Sequence, residues 1–80
     1  MIFISVVVIK DSVIDENYLF RGDDNDDIVQ RAEKKFLDAC ATNVSNWYEY
    51  SEEDKNNALD DGYVEFGRGS VCISWPDTDT

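Results

Sequence analysis

Eighty residues suffice for one domain with a small core, and a hydrophobic share of 42% excludes a disordered chain. Eighteen acids against seven bases leave a formal charge of −11. A field of that sign repels nucleic acid and anionic membranes and attracts basic surfaces, so direct nucleic-acid binding is disfavoured.

The chain opens on Ile2 to Ile9, a nearly continuous β-branched run. Its length and composition predict a strand buried on both faces, or a central strand. The run lacks a basic flank and a cleavage pattern, and it is too short to span a bilayer. A reduced, cytoplasmic protein is expected. Lys10-Asp11-Ser12 carries turn chemistry. Val13 to Phe20 resumes as a second strand, with Ile14, Tyr18 and Phe20 on one parity. Asp15, Glu16 and Asn17 make it the more solvated arm of an antiparallel hairpin.

Arg21-Gly22 breaks the pattern. Asp23-Asp24-Asn25-Asp26-Asp27 follows, and then apolar residues recur at 28, 29, 32, 36, 39 and 40. That is a helix with one buried stripe. Asp23, Asp24 or Asn25 can cap it; with Asp24 as the cap, Asp27 falls at the third helical position. Asp27 and Arg31 are spaced to pair in the favourable order. Arg31, Lys34 and Lys35 share an outer face, which leaves the rest of the chain more acidic than its average.

Asn43 can end this helix in a left-handed conformation. Trp47, Tyr48 and Tyr50 belong to an extended segment or a packed loop. Ser51-Glu52-Glu53-Asp54 starts a second, short helix that runs to Leu59 or Asp61 and closes at Gly62. Only Ala58 and Leu59 are apolar in it, so it belongs on the surface. Tyr63–Phe66 and Val71–Trp75 alternate with period two around the glycine-rich Gly67-Arg68-Gly69-Ser70, which predicts a hairpin. Pro76 ends its second arm, and the tail to Thr80 has nothing to bury.

The expectation is a single domain, residues 1–80, of the α+β class. It has a four-stranded, mainly antiparallel sheet in ββααββ order, with one main and one short helix on one face. Either hairpin can supply the central pair of strands. Cys40 and Cys72 match no metal or redox spacing and are expected to be buried free thiols.

Chemistry is constrained by absence. The chain has no histidine, which removes the commonest general base and every Ser-His or Cys-His pair. Gly67-Arg68-Gly69-Ser70 is a hairpin tip with no helix behind it, so it cradles no phosphate. Asp23, Asn25 and Asp27 match the first alternate positions of a calcium loop, but Ile28 stands in place of its glycine and Lys34 in place of its glutamate. Arg21-Gly22-Asp23 spells an adhesion tripeptide and Asn43-Val44-Ser45 a glycosylation acceptor. A turn before a helix and the missing secretion signal discount them. No catalytic residue, metal site or cofactor is expected.

The acids remain as a surface. They cluster at 15–16, 23–27, 49–54 and 60–61. Asp23, Asp24, Asp26, Asp27, Glu49, Glu52, Glu53 and Asp54 would attract a basic partner, with Trp47, Tyr48 and Tyr50 as apolar anchors. Carboxylates on adjacent helix starts would approach the charge density of a nucleic-acid strand. The plainer explanation is that acids cap helices and keep a small protein soluble, and that aromatics fill the core. An alternative role is an assembly adaptor that pairs through a sheet edge. A monomer and a homodimer are both compatible with the chain.

In its small size, its clusters Asp23–Asp27 and Glu52-Glu53-Asp54, its missing histidines and its lack of a catalytic motif, the chain resembles phage-encoded inhibitors of bacterial defence. Anti-CRISPR proteins that mimic DNA are the nearest in format. It is similar, too, to acidic immunity proteins that block basic nucleases. The resemblance is one of composition and carries no residue-level correspondence. It implies stoichiometric occupation of a basic nucleic-acid site, in a host bacterial cytoplasm if the chain is phage-encoded.

Overall fold

The structure, a computed structural model, describes residues 2–74. The expected strand end at Trp75 and Pro76, and the tail behind it, lie outside the described residues. The elements are β1 (Ile2–Lys10), β2 (Val13–Gly22), α1 (Asn25–Asn43), a 3-10 turn (Trp47–Glu49), α2 (Glu52–Asp61), β3 (Tyr63–Phe66) and β4 (Gly69–Ser74). This is an α+β fold with one four-stranded antiparallel sheet in the order β2-β1-β4-β3. Each hairpin contributes one strand to the central pair.

Both hairpins turn on two residues. Asp11 and Ser12 take positive φ values of 53° and 68°, the pattern of a turn whose twist suits a hairpin. In the second hairpin Gly67 takes the positive φ. Gly69 and Ser70, expected in the loop, already pair as part of β4. The two tips are tied together, the Asp11 N–H donating to the Arg68 carbonyl at 3.2 Å.

Alternation along β1 sorts the sheet into two faces. Ile4, Val6 and Val8 are buried against α1, where Ile28, Ala32, Phe36, Ala39 and Cys40 answer them. Val64, Val71 and Ile73 extend this core under β3 and β4. Phe36 is fully enclosed. The opposite parity of β1, Phe3, Val7 and Ile9, faces away from the helices. β1 is therefore central, as one of its two expected placements required, but the described residues cover it on one face only. The molecule measures 20 Å along its shortest axis, the depth of one sheet and one helix layer.

Three local expectations are corrected. A register shift between Val8 and Ile9 sets Ile9 opposite Ile14 while Val8 pairs with Glu16. This bulge turns Ile14 to the outer face, apart from Tyr18 and Phe20. Lys35 does not share the outer patch of Arg31 and Lys34: its ammonium lies 3.9 Å from the Tyr18 ring centre, between α1 and β2. Asn43 is not left-handed. Helix α1 ends at an extended Val44, whose N–H donates to the Cys40 carbonyl at 2.8 Å, and the Asn43 amide donates to the Ala39 carbonyl.

Both cysteines are free. Cys40 is buried as expected. Cys72 pairs with Val7 on the outer face and is only half-buried. Among the described residues no helix is long and apolar enough to cross a membrane.

Candidate interaction surface

The expected acids divide into those that hold the fold and those that do not. Asp24 caps α1, its Oδ1 accepting from the Asp27 N–H at 3.1 Å. Asp27 Oδ2 lies 3.3 Å from the Arg31 Nε one turn on. At α2 the capping box is complete: Ser51 Oγ accepts from the Asp54 N–H, and Asp54 Oδ2 accepts from the Ser51 N–H. Asp26, Glu52 and Glu53 sit in first turns, at the positive end of a helix dipole. Helix-start chemistry accounts for all of these.

The two helix starts are not neighbours. Helix α1 has 19 residues, about 28 Å at 1.5 Å per residue. Residues 44–50 then fold tightly at its far end, with Trp47 N–H donating to the Val44 carbonyl and Tyr50 N–H to the Trp47 carbonyl. Ser51 follows directly. The Asp23–Asp27 cluster and the Glu52–Asp54 cluster thus occupy opposite ends of the helix layer.

The aromatics divide as well. Trp47 is buried, its ring 4.6 Å from that of half-buried Tyr50, with the Lys55 ammonium 5.7 Å from its ring centre. It fills the core and offers no anchor to a partner. Tyr48, 83% exposed, is the aromatic that this segment presents outward. Glu49 is exposed beside it.

Helix α2 gathers a further acid surface, of which only the first turn belonged to the expected site. The helix carries Glu52, Glu53, Asp54, Asp60 and Asp61 against a single base, Lys55. On one flank, Glu33 of α1 lines a groove of about 400 Å³ with Asn56, Leu59 and Asp60. On the other, a groove of about 420 Å³ is lined by Asp54 and Asp61, by Glu65 of β3, and by Tyr50 and Tyr63. Glu33, Asp60, Asp61 and Glu65 had no place in the expected site. The signal for two of them was present: Asp60-Asp61 stand just before Gly62, at the C-terminal end of a helix.

That position sets Asp60 and Asp61 apart from the capping acids. A helix C-terminus is the negative end of the dipole, and carboxylates there are unfavourable by about 0.3–1 kcal/mol each. The last turn of α2 contains no basic residue to offset them. Capping accounts for Asp24, Asp27 and Asp54; it does not account for Asp60 and Asp61.

The interior carries no comparable chemistry. Among the described residues no polar or charged side chain is buried, and no three His, Cys, Asp or Glu side chains converge to hold a metal ion. Burial pushes the Cys40 thiol up to about 12, far from a nucleophile's range. The chain matches no protein-family model, no curated protein and no solved structure.

Proposed function

We propose that this protein is a non-enzymatic inhibitor that docks its acidic α2 ridge onto a basic, nucleic-acid-binding surface of another protein. A nuclease or a nucleic-acid-guided defence complex is the partner class whose surface fits. The observation that carries this is the pair Asp60 and Asp61, held where the helix dipole opposes them and flanked by Glu33 and Glu65. Acids retained against the local electrostatics of the fold are explained by an external cation. Long-range attraction would steer the encounter, and Tyr48, Tyr50 and Tyr63 would supply apolar contact around the ridge.

The test is capture from a bacterial lysate at low salt, elution along a salt gradient, and identification by mass spectrometry. Capture of a nucleic-acid-binding protein that salt or competing DNA releases is the expected result. Asp60→Asn, Asp61→Asn and Glu65→Gln together should slow association and flatten its salt dependence. Unchanged binding by that triple variant at low salt would sink the proposal.

A second reading, an adaptor that pairs through a sheet edge, is favoured by β2. It is an edge strand of ten residues without proline or lysine, and Val13, Ile14 and Leu19 on it are exposed. Retention of a captured partner at high salt would favour it.

A further inference from the structure

Strand β1 is apolar on both sides from Ile2 to Ile9 apart from Ser5, yet the described residues cover one side. An antiparallel strand with a solvated face ordinarily alternates apolar with polar residues. A strand apolar on both sides belongs to a sheet covered on both. Here the outer face shows Phe3, Ile14, Leu19 and Tyr63, each at least half exposed, around half-buried Val7 and Ile9.

Charge selects what covers it. Of the residues that register places on the outer face, only Arg21 and Glu65 are charged, and they cancel. Asp15, in the bulge, lies 3.5 Å from Lys10. Among the described residues sixteen acids and seven bases leave −9, carried by the rest of the surface. A basic partner is drawn to α2, not to this neutral face. A second copy is repelled by the acidic surface but not here.

The two charges also stand at diagonal corners. Arg21 lies on edge strand β2, level with Phe3; Glu65 lies on edge strand β3, level through Ser70 with Ile9. A two-fold axis through the midpoint of that diagonal exchanges the corners. It sets each Arg21 against Glu65 of the second copy. We infer that the outer face of the sheet is the interface of a symmetric dimer of this chain.

Area sets the strength. A strand residue covers roughly 16 Å² of sheet, and the strands hold 9, 10, 4 and 6 residues. Two copies therefore hide at most about 900 Å² of flat sheet before side-chain relief is counted, below the usual range of stable interfaces and in that of weak, transient ones. The dimer forms at micromolar concentrations and exchanges. The α2 carboxylates Asp54, Asp60 and Asp61 stay outside this interface, while Tyr63 and Glu65 at the β3 edge belong to both surfaces.

Sedimentation equilibrium of the full chain tests this. The expected result is a micromolar dimer that added salt does not dissolve. Phe3→Lys, on β1 and one strand in from the edge, abolishes association; Leu19→Lys does the same should Phe3→Lys fail to fold by circular dichroism. A chain that stays monomeric to hundreds of micromolar overturns the inference. So does a dimer that survives in a folded lysine variant, which would place the contact at the sheet edges. Capture of a basic partner by folded Phe3→Lys would be unaffected in either case.

Discussion

Gly69 lies so close to β1 that a Cβ added to it would stand 2.1 Å from the Ile9 carbonyl oxygen. The clash is with backbone, so no rotamer relieves it. Gly69→Ala must part the two central strands. It should cost more than about 3 kcal/mol, a large part of the roughly 4–12 kcal/mol available to a chain of this size. Gly67→Ala meets no atom within 4 Å and pays only for its positive φ, about 1 kcal/mol. Urea unfolding of the two variants measures the contrast. Equal losses would show that the close approach is not maintained.

Phe36 is the largest fully enclosed side chain. Phe36→Ala removes its packing and leaves a cavity, at about 3–5 kcal/mol, enough to populate the unfolded state at room temperature. Tyr48→Ala, on the exposed ring, should stay within about 0.5 kcal/mol of the parent. Thermal melts of both variants decide it.

The acids of α2 should oppose one another in their effects. Ser51→Ala breaks the capping box and should destabilise by about 1 kcal/mol. Asp60→Asn with Asp61→Asn relieves the dipole and should stabilise by about 0.5–1.5 kcal/mol, more at low salt than at high. A destabilising effect of the asparagines would mean that these acids serve the fold, and the functional argument built on them would fall.

The thiols should differ in reactivity. Native protein treated with iodoacetamide near neutral pH should be modified at Cys72 and protected at Cys40; urea should expose both. Burial raises the Cys40 pKa from 9.0 to about 12, so folding favours the neutral thiol. That contribution is fully present below pH 9 and is lost as pH climbs from 9 towards 12. Cys40→Ala should show a shallower alkaline loss of stability than the parent. Identical slopes would mean that Cys40 ionises as freely in the folded chain as in the unfolded one.

Local order was legible because local chemistry specifies it. Ser51 was recognisable as a cap from the acid three residues on, and Gly62 as a helix stop, while Asp24 was one of three candidates with Asp23 and Asn25; each acts within one turn. The α+β class and the element order followed from periodicity. Strand order did not, since two hairpins with similar patterns can nest in more than one way, and the close fit of Gly69 against Ile9 is visible only in space. The bulge at Val8/Ile9 inverted the facing of Ile14 because one inserted residue changes parity without changing composition. Trp47 looked like an anchor beside acids; its burial depends on contacts with Tyr50 and Lys55. The α2 ridge was only partly legible, because Glu33 and Glu65 join it from other elements.

The central pair of the sheet joins strands from the two ends of the described chain, with Lys10 opposite Gly69. Closing so long a loop costs about 3.6 kcal/mol beyond the constant term for any closure. No local contact repays that before β4 arrives. During synthesis the first hairpin must wait, its apolar Ile2–Ile9 strand without a neighbour on one side, until nearly the whole domain has been made. A nascent chain stopped after α2 holds both helices and half a sheet, yet it lacks the strand that closes the core over Phe36. Such a fragment leaves the apolar edge of β1 open to other chains until β4 pairs with it.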